Sequence, residues 1–248
     1  MEKILKFTIS FLLITICARG QQDSLRTYGL RLGVDLSRLV MPYLQPNRKD
    51  MEFSADMEIR NNLFGVLEGG WNKSKIDNGP KFQYQSSGYF GRIGIDYNLL
   101  THDYIQENNL AYVGFRLGHA QFQQQASHYQ LLDPYWGNVN GSVPLHSLQA
   151  SWLEFVAGLK VEALKHFFLG WSIRARILLN NQVDPILTPY VIPGYGKGAV
   201  KGEFDVNYSI YYLIPLFKRK ISPPPPPKKN NPEQVKVHTS THKIKPVK

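Results

Sequence analysis

Histidine is the side chain best suited to acid–base chemistry and metal binding near neutral pH, and the chain has seven. The sequence places four of them in loops or turns and His119 near the end of a strand. Those four are His102, His128, His146 and His166. None has the spacing of a metal-ligand set, so they are read as surface histidines and the sequence predicts no metal and no cofactor.

Ser127 and His128 are adjacent in a long polar segment and are the only local candidates for a hydroxyl nucleophile beside a base. Hydroxyls next to histidines also arise by chance, so we predict no enzymatic activity. A lipid-modifying enzyme using this pair remains the alternative.

The glycine-rich segment PGYGKGAV, residues 193–200, resembles a phosphate-binding loop only superficially. It lacks the Ser or Thr that should follow Lys197, and no helix follows it. We interpret it as the flexible crown of a hairpin.

The elements that would position these residues alternate with a period of two. Residues 148–180 contain two long alternating segments joined by a tight turn at 163–166. A helical stripe would place Lys160, Glu162 and Arg174 among apolar positions, so the pattern indicates strands. Their apolar faces carry Leu153, Phe155, Ala157, Leu159 and Val161, then Phe167, Leu169, Trp171, Ile173, Ala175 and Ile177.

Six more segments alternate in the same way, at residues 28–40, 51–60, 63–71, 87–99, 110–122 and 203–216. The connections after strands one, three, five and seven are predicted to be long, including loops at 73–85, 123–144 and 181–202. An even strand number with alternating long and short connections is typical of outer-membrane barrels. The fold class is therefore all-β, an eight-stranded antiparallel up-and-down transmembrane β-barrel with a disordered C-terminal tail and both termini periplasmic.

One face of every strand carries charges and glycines, which suits the lumen of a barrel too narrow for an aqueous pore. Charges buried there require partners, so we predict a lumen charge network. Its members are Arg31, Asp35, Asp56, Glu58, Glu68, Arg92, Asp96, Arg116, Glu154, Lys160, Arg174, Arg176 and Asp205.

A secreted soluble barrel with its apolar faces inside, as in a lipocalin-like ligand binder, is the second interpretation of the same alternation. Its interior would have to hold Trp71, Trp152, Trp171 and many Leu and Ile side chains. These would overfill a small barrel, and the glycines lie on the charged face, so the membrane barrel is favoured.

The N-terminus has the layout of a secretory signal peptide: Lys3 and Lys6, an apolar run at 7–16, then a small-residue site ending at Gly20. Cys17 would suit a lipoprotein signal, but bulky Ile16 precedes it. The sequence predicts a signal peptide at 1–20, a barrel at 21–217 and a basic, proline-rich periplasmic tail at 218–248.

The formal net charge of +10 is concentrated at the two ends of the chain. Residues 218–248 hold nine Lys or Arg and one Glu, and the signal peptide holds three Lys or Arg and one Glu. This leaves 17 basic and 17 acidic residues for the body of the chain, residues 21–217. A neutral body without a basic face argues against nucleic-acid binding.

The five prolines at 223–227 predict an extended polyproline spacer. The segment beyond them is too polar to form a core, but it could add a strand to a partner protein or lie on an acidic surface. Its candidate partner-binding residues are Lys228, Lys229, Lys236, Lys243 and Lys245. A solvated cationic tail is the alternative.

The strand YGLRLGVDLSRLV, the hairpin MEFSADMEIRNNLFGVLEGGW and the terminal YSIYYLIPLF resemble the small outer-membrane β-barrel proteins of unknown function in Bacteroidota. The resemblance covers about residues 28–217 and includes no active-site motif. Some relatives of this kind, the PorT-like barrels, are accessories of the type IX secretion system. The resemblance implies an accessory or scaffold role, with outer-membrane lipid and a periplasmic or outer-membrane protein as partners.

Overall fold

The computed structural model describes residues 25–44, 46–79, 81–100, 108–133, 135, 137–180 and 183–220. The predicted signal peptide at 1–20, His102 and the candidate tail residues lie outside this part of the chain. Those tail residues are Lys228, Lys229, Lys236, Lys243 and Lys245.

Eight strands form one closed antiparallel barrel in which each strand pairs with the next in sequence and the last pairs with the first. They are β1 (Leu25–Asp35), β2 (Arg48–Arg60), β3 (Leu63–Asp77), β4 (Phe82–Asn98), β5 (Leu110–Asp133), β6 (Gly137–Leu164), β7 (Phe167–Leu178) and β10 (Gly202–Lys220). A helix, α1 (Leu36–Leu44), follows β1, and the short strands β8 (Val191–Ile192) and β9 (Gly196–Lys197) pair between β7 and β10. The predicted eight-stranded barrel is confirmed.

The predicted alternation of long and short connections is wrong, because two of the expected long loops are mostly strand. Only residues 78–81 join β3 to β4, and only 134–136 join β5 to β6, whereas residues 99–109 separate β4 from β5. Polar cross-strand pairs extend these ladders: Gln85 donates to Gln125 (2.9 Å), and Gln123 donates to Ser147 (3.3 Å). Such pairs stabilise a sheet without the apolar alternation that sequence analysis detects.

The first predicted strand, residues 28–40, instead ends at Asp35 and is followed by α1. The Asp35 carboxylate accepts hydrogen bonds from the backbone N–H (2.9 Å) and the hydroxyl of Ser37, as an N-cap residue does at the start of a helix. In the part of the chain that the structure describes, no helix is long and apolar enough to cross a bilayer.

Apolar and charged side chains face opposite sides of the wall, as the alternation predicts. On β4, Ile93 is 64% exposed on the outside, whereas the adjacent Arg92 is 1% exposed inside. Trp152 is an exception to our interpretation. The sequence interpretation places it on the apolar outer face, but it is fully buried in the lumen.

Glycine makes room for that indole. A Cβ atom on Gly118, which pairs with Trp152 across β5 and β6, would lie 2.2 Å from the Trp152 ring. Gly33 and Gly170 leave similar room for the ring of Tyr211. The glycines of the charged face therefore allow a narrow lumen to hold large side chains, which is the reason we predicted for their position.

The last strand passes the predicted barrel boundary at residue 217. β10 runs to Lys220, which pairs with Leu25 at the start of β1. Pro215, which has no N–H to donate, lies where the β1–β10 register shifts, the kind of site that tolerates proline in a sheet. Residues 218–220 thus belong to the barrel and not to the tail.

Candidate functional site: a charged, filled barrel interior

A set of ion pairs crosses the middle of the lumen. Arg92 from β4 contacts Glu52 from β2 (Nη2 to Oε2, 2.6 Å) and Glu154 from β6 (Nη1 to Oε1, 3.0 Å). Arg174 from β7 donates to the other oxygen of Glu52 (2.6 Å). All four side chains are buried, so β2 and β4 are joined through the interior to β6 and β7 on the other side of the barrel.

A second group lies nearer the rim where β1 begins. Asp56 accepts hydrogen bonds from Arg31 Nε and Lys160 Nζ, both at 2.7 Å. The Arg31 guanidinium lies 4.8 Å from the centre of the Phe64 ring, and the Lys160 ammonium lies 4.7 Å from that of Tyr211. Aromatic faces stabilise these cations on the sides that no carboxylate reaches.

The opposite end of the lumen is closed by Arg176, Arg38 and the segment between β7 and β10. Arg176 donates to Glu154 (2.8 Å), to the carbonyl of Tyr195 (2.8 Å) and to Asp205 (3.1 Å). Arg38 of α1 also donates to Asp205. The helix and the loop are thereby tied to the charged interior.

Among the described residues, seven cations and seven carboxylates are linked by ion pairs in the interior, and the Arg48–Asp50 pair joins them at the edge through Arg38. The cations are Arg31, Arg38, Arg92, Arg116, Lys160, Arg174 and Arg176, and the carboxylates are Asp35, Glu52, Asp56, Glu68, Asp96, Glu154 and Asp205. Equal numbers mean that the lumen carries no net charge when all are ionised.

The structure brings together twelve of the thirteen predicted lumen residues. The thirteenth, Glu58, lies near the β2–β3 turn, where it is partly exposed and accepts a hydrogen bond from the Asn62 N–H (3.1 Å). Sequence reasoning missed Glu52 and Arg38. Glu52 lies on the polar face of β2, so the alternation could have identified it. Arg38 comes from a helix, which no strand pattern predicts.

Two small cavities adjoin the interior, one of about 10 Å³ beside Arg38 and Glu52 and one of about 20 Å³ beside Arg31 and Phe64. A single water needs roughly 10–15 Å³ of such volume, so each has room for about one water molecule. Neither cavity has room for a solute or an apolar ligand.

The loop between β7 and β10 folds into one mouth of the barrel. Ile192 and Tyr195 are fully buried and pack in one cluster with Phe90 and Phe122. The Tyr195 and Trp152 ring centres are 5.9 Å apart in an edge-to-face arrangement. The segment that we interpreted as a flexible crown therefore includes part of a packed plug.

This plug is held by Asp184. Its Oδ2 lies 2.7 Å from His146 Nε2 and accepts a hydrogen bond from Gln124, while Oδ1 accepts the Ile186 N–H (2.8 Å). Gln124 also accepts the Tyr84 hydroxyl (3.0 Å). The loop is thus fastened to β4, β5 and β6 through one carboxylate.

The hydrogen bond to the Pro144 carbonyl, and then the one to Asp184, raises the pKa of His146. Burial opposes ionisation of Asp184, but hydrogen bonds from Ile186, His146 and Gln124 lower its pKa overall. Both shifts favour a charged pair. This pair lies beyond the apolar belt of the barrel wall, which on β6 ends near Leu153.

Ser127 and His128 do not form a catalytic arrangement in the described part of the chain. They are consecutive residues of β5, with Ser127 exposed and His128 half-buried, and neither is hydrogen-bonded to a carboxylate there. His128, His146 and His119 all lie in strands and not in the loops or strand end that we predicted. His166 does occupy a turn, with φ at 67°.

Among the described residues, no group of three His, Cys, Asp or Glu side chains is arranged to hold a metal ion. The arrangement that the structure does contain is therefore a filled, neutral ionic interior with a plugged mouth.

Replacing Glu154 by Gln should destabilise the barrel strongly, because Arg92 and Arg176 would lose their shared buried carboxylate. We expect the free energy of unfolding to fall by about 3–5 kcal/mol, as measured by urea titration of the refolded protein in detergent. The control is Asp77→Asn, an exposed carboxylate next to the β3–β4 turn, which should stay within about 0.5 kcal/mol of wild type. Equal stabilities of the two variants would contradict a network that holds the barrel together.

The plug should loosen as pH rises. Because the pKa of His146 is raised, its contribution to the stability of the plug is fully present below the unfolded pKa of about 6.5. That contribution is lost as pH rises through the folded pKa. Asp184 has a lowered pKa, so its contribution is lost only when pH falls through that value. Hydrogen exchange of residues 183–195, corrected for intrinsic rates, should be faster near pH 8.5 than near pH 6.

His146→Gln should remove this pH dependence and leave the loop at its faster rate, whereas His128→Gln should behave as wild type. Protection that is the same at both pH values in wild type would show that the His146–Asp184 pair does not hold the loop.

No curated protein matches the chain. The structure is similar to the N-terminal β-barrel domain of Pseudomonas aeruginosa OprF, with 8% identity, a TM-score of 0.33, and coverage of 76% of this chain and 98% of that one. It is also similar to Ail, the attachment invasion locus protein of Yersinia pestis, with 10% identity, a TM-score of 0.33, and coverage of 75% of this chain and 93% of that one. A third similar structure is Neisserial surface protein A, with 10% identity, a TM-score of 0.32, and coverage of 79% of this chain and 100% of that one.

A family model described as "Domain of unknown function (DUF6048)" matches residues 3–219. That match spans all eight barrel strands except the last residue of β10. The chain therefore belongs to the DUF6048 family.

Proposed function

We propose that the protein is a non-enzymatic integral outer-membrane β-barrel, acting as an accessory or scaffold subunit of an outer-membrane assembly or secretion complex. The observation that carries this proposal is the inverted polarity of the barrel: ionic side chains fill the inside and apolar side chains cover the outside. In lipid, a closed barrel satisfies every backbone hydrogen bond without an open edge. The exposed apolar wall then faces acyl chains in place of water.

The apolar belt has dimensions that suit a bilayer. On β4 its outward residues run from Tyr89 to Tyr97. The eight steps between them span about 27 Å along the strand, and about 20 Å along the membrane normal after strand tilt. Aromatic residues border it, with Trp71 and Tyr89 at one edge and Tyr97 at the other. Such girdles mark the two interfaces of outer-membrane barrels.

The interior argues against the competing functions. A lipocalin-like binder needs an apolar cavity, whereas the described lumen is occupied by paired charges and borders cavities about one water in size. A lipid-modifying enzyme needs an assembled nucleophile and base, and Ser127 and His128 are not assembled with an acid. These observations favour a role carried by surfaces and termini.

For orientation, we propose that the rim where β1 begins and β10 ends faces the periplasm. The two shortest turns, at residues 61–62 and 165–166, lie at the same rim. Short turns are the periplasmic ones in outer-membrane barrels. The tail then emerges on the periplasmic side, which would let it contact a protein partner there, as an accessory role resembling that of the PorT-like Bacteroidota barrels would require.

The membrane proposal predicts that Ile173→Arg blocks assembly. Ile173 is 41% exposed in the middle of β7, and Arg on the lipid face costs about 2–4 kcal/mol at the midplane. The matched control is Ile186→Arg, which introduces the same side chain at a loop position that is 71% exposed. Heat-modifiable migration after reconstitution into lipid vesicles should show a folded species for wild type and the control but little for Ile173→Arg. Recovery of wild type as a soluble protein would refute membrane insertion.

The scaffold proposal predicts that the tail recruits a partner. Truncation after Lys220 keeps the complete β10 strand and its pairing with Leu25, so the barrel should still fold. Pull-downs in mild detergent should lose co-purifying proteins on truncation. A full-length variant with Gln at the candidate tail lysines should lose the co-purifying proteins that bind through charge. High salt should weaken the same contacts. The same partner proteins with full-length and truncated chains would support a merely solvated tail.

A further inference from the structure

Three lysines form a patch on the outer wall of the barrel, which we call the wall lysines: Lys49 on β2 and Lys73 and Lys75 on β3. Lys49 pairs directly with Lys73 across the two strands, and Lys75 lies two residues further along the same face of β3. All three are exposed. Directly opposed residues have Cβ atoms about 4.5–5.5 Å apart, and residues two apart on one strand are about 7 Å apart. Three ammonium groups can therefore reach one anionic group.

These three charges are only partly balanced on their own face, where Asp77 is a single nearby carboxylate. In the described part of the chain, none of the wall lysines forms an ion pair, and the carboxylate further along the same face, Asp77, accepts the Gly79 N–H (3.0 Å). Like charges directly opposite each other destabilise an antiparallel pair. Clustering without a carboxylate partner indicates an anion supplied from outside the chain.

The position of the patch indicates which kind of anion. The next outward pair below Lys49 and Lys73 is Met51 and Trp71, and the Trp71 ring is 5.9 Å from that of Phe53, the next outward residue on β2. This is the aromatic edge of the apolar belt. A ligand here would therefore have an anionic group level with the lysines and an apolar part alongside the aromatic rings.

The neighbouring strand adds neutral polar groups at the same height. On β4, Ser87 pairs with Lys73 and Gln85 pairs with Lys75, and both β4 side chains are exposed. A hydroxyl and an amide can donate hydrogen bonds to phosphate or sugar oxygens. The patch thus combines positive charge with donors suited to a phosphorylated headgroup.

We propose that the wall lysines bind the phosphate groups of an outer-leaflet phosphoglycolipid whose acyl chains lie against Trp71 and Phe53. This inference rests on the proposed membrane insertion and on the orientation that places this end of the barrel outside the cell. A lipid fits better than a free phosphate, because three exposed lysines hold a small ion weakly in water, whereas the adjoining apolar belt holds the acyl chains of a lipid.

The test compares the wild-type full chain, the triple variant Lys49→Gln/Lys73→Gln/Lys75→Gln and a matched control in mild detergent. The control, Lys81→Gln/Lys197→Gln/Lys201→Gln, removes three exposed lysines outside the patch. Native mass spectrometry measures retention of diphosphoryl lipid A and of the same lipid without its phosphates. We expect roughly tenfold weaker binding of diphosphoryl lipid A by the wall variant, with the control unchanged. The dephosphorylated lipid should not distinguish the three proteins.

Equal retention of diphosphoryl lipid A by wild type and the wall variant would overturn the proposal. Displacement of the lipid by millimolar inorganic phosphate would also overturn it, since the site would then be one for free anions. Heat-modifiable migration of each protein separates this result from failure of the barrel itself. Folded, inserted proteins with equal lipid binding refute only the lipid site, whereas a wild type that does not insert refutes the membrane barrel as well.

Discussion

The structure depends on the pairing of buried charges across the lumen. An unpaired ion in such an interior costs several kcal/mol, so Glu154 is tolerable only while Arg92 and Arg176 contact it. These partners come from different strands, and Glu52 and Arg174 are 122 residues apart. Only the closed barrel brings them together. The barrel must therefore close for these ions to pair, and their pairing in turn stabilises the closed barrel.

The polarity of the outer wall follows from the same constraint. Because successive side chains of a strand face opposite sides, filling the lumen with charges such as Arg92 leaves residues such as Ile93 outside. A belt of exposed apolar residues this wide is typical of a surface that contacts lipid or another apolar partner. Glycines such as Gly118 complete the arrangement, since a narrow lumen with ion pairs has room for Trp152 only opposite a residue without a side chain.

The two ends of the barrel differ in how they are finished. At one end, α1 and the loop between β7 and β10 close the mouth through Arg38 and Tyr195, and the Gln-rich ladders of β4 to β6 extend beyond the belt. At the other end are the two shortest turns, the connection at residues 99–109 and the last residues of β10. With a filled interior between them, the binding roles that we propose belong to the wall above the belt, including Lys49 and Lys73, and to the tail.

Alternation along the chain was enough to predict the eight barrel strands, the two faces of each strand and most of the ionic interior. Period-two alternation is a local property, and residues such as Arg92 and Asp96 show it without any knowledge of their partners. Long-range packing set the length of the β5–β6 ladder, the helix around Arg38, the inward position of Trp152 and the burial of Tyr195. Each of these is set by contacts between residues far apart in the chain, which no local pattern records.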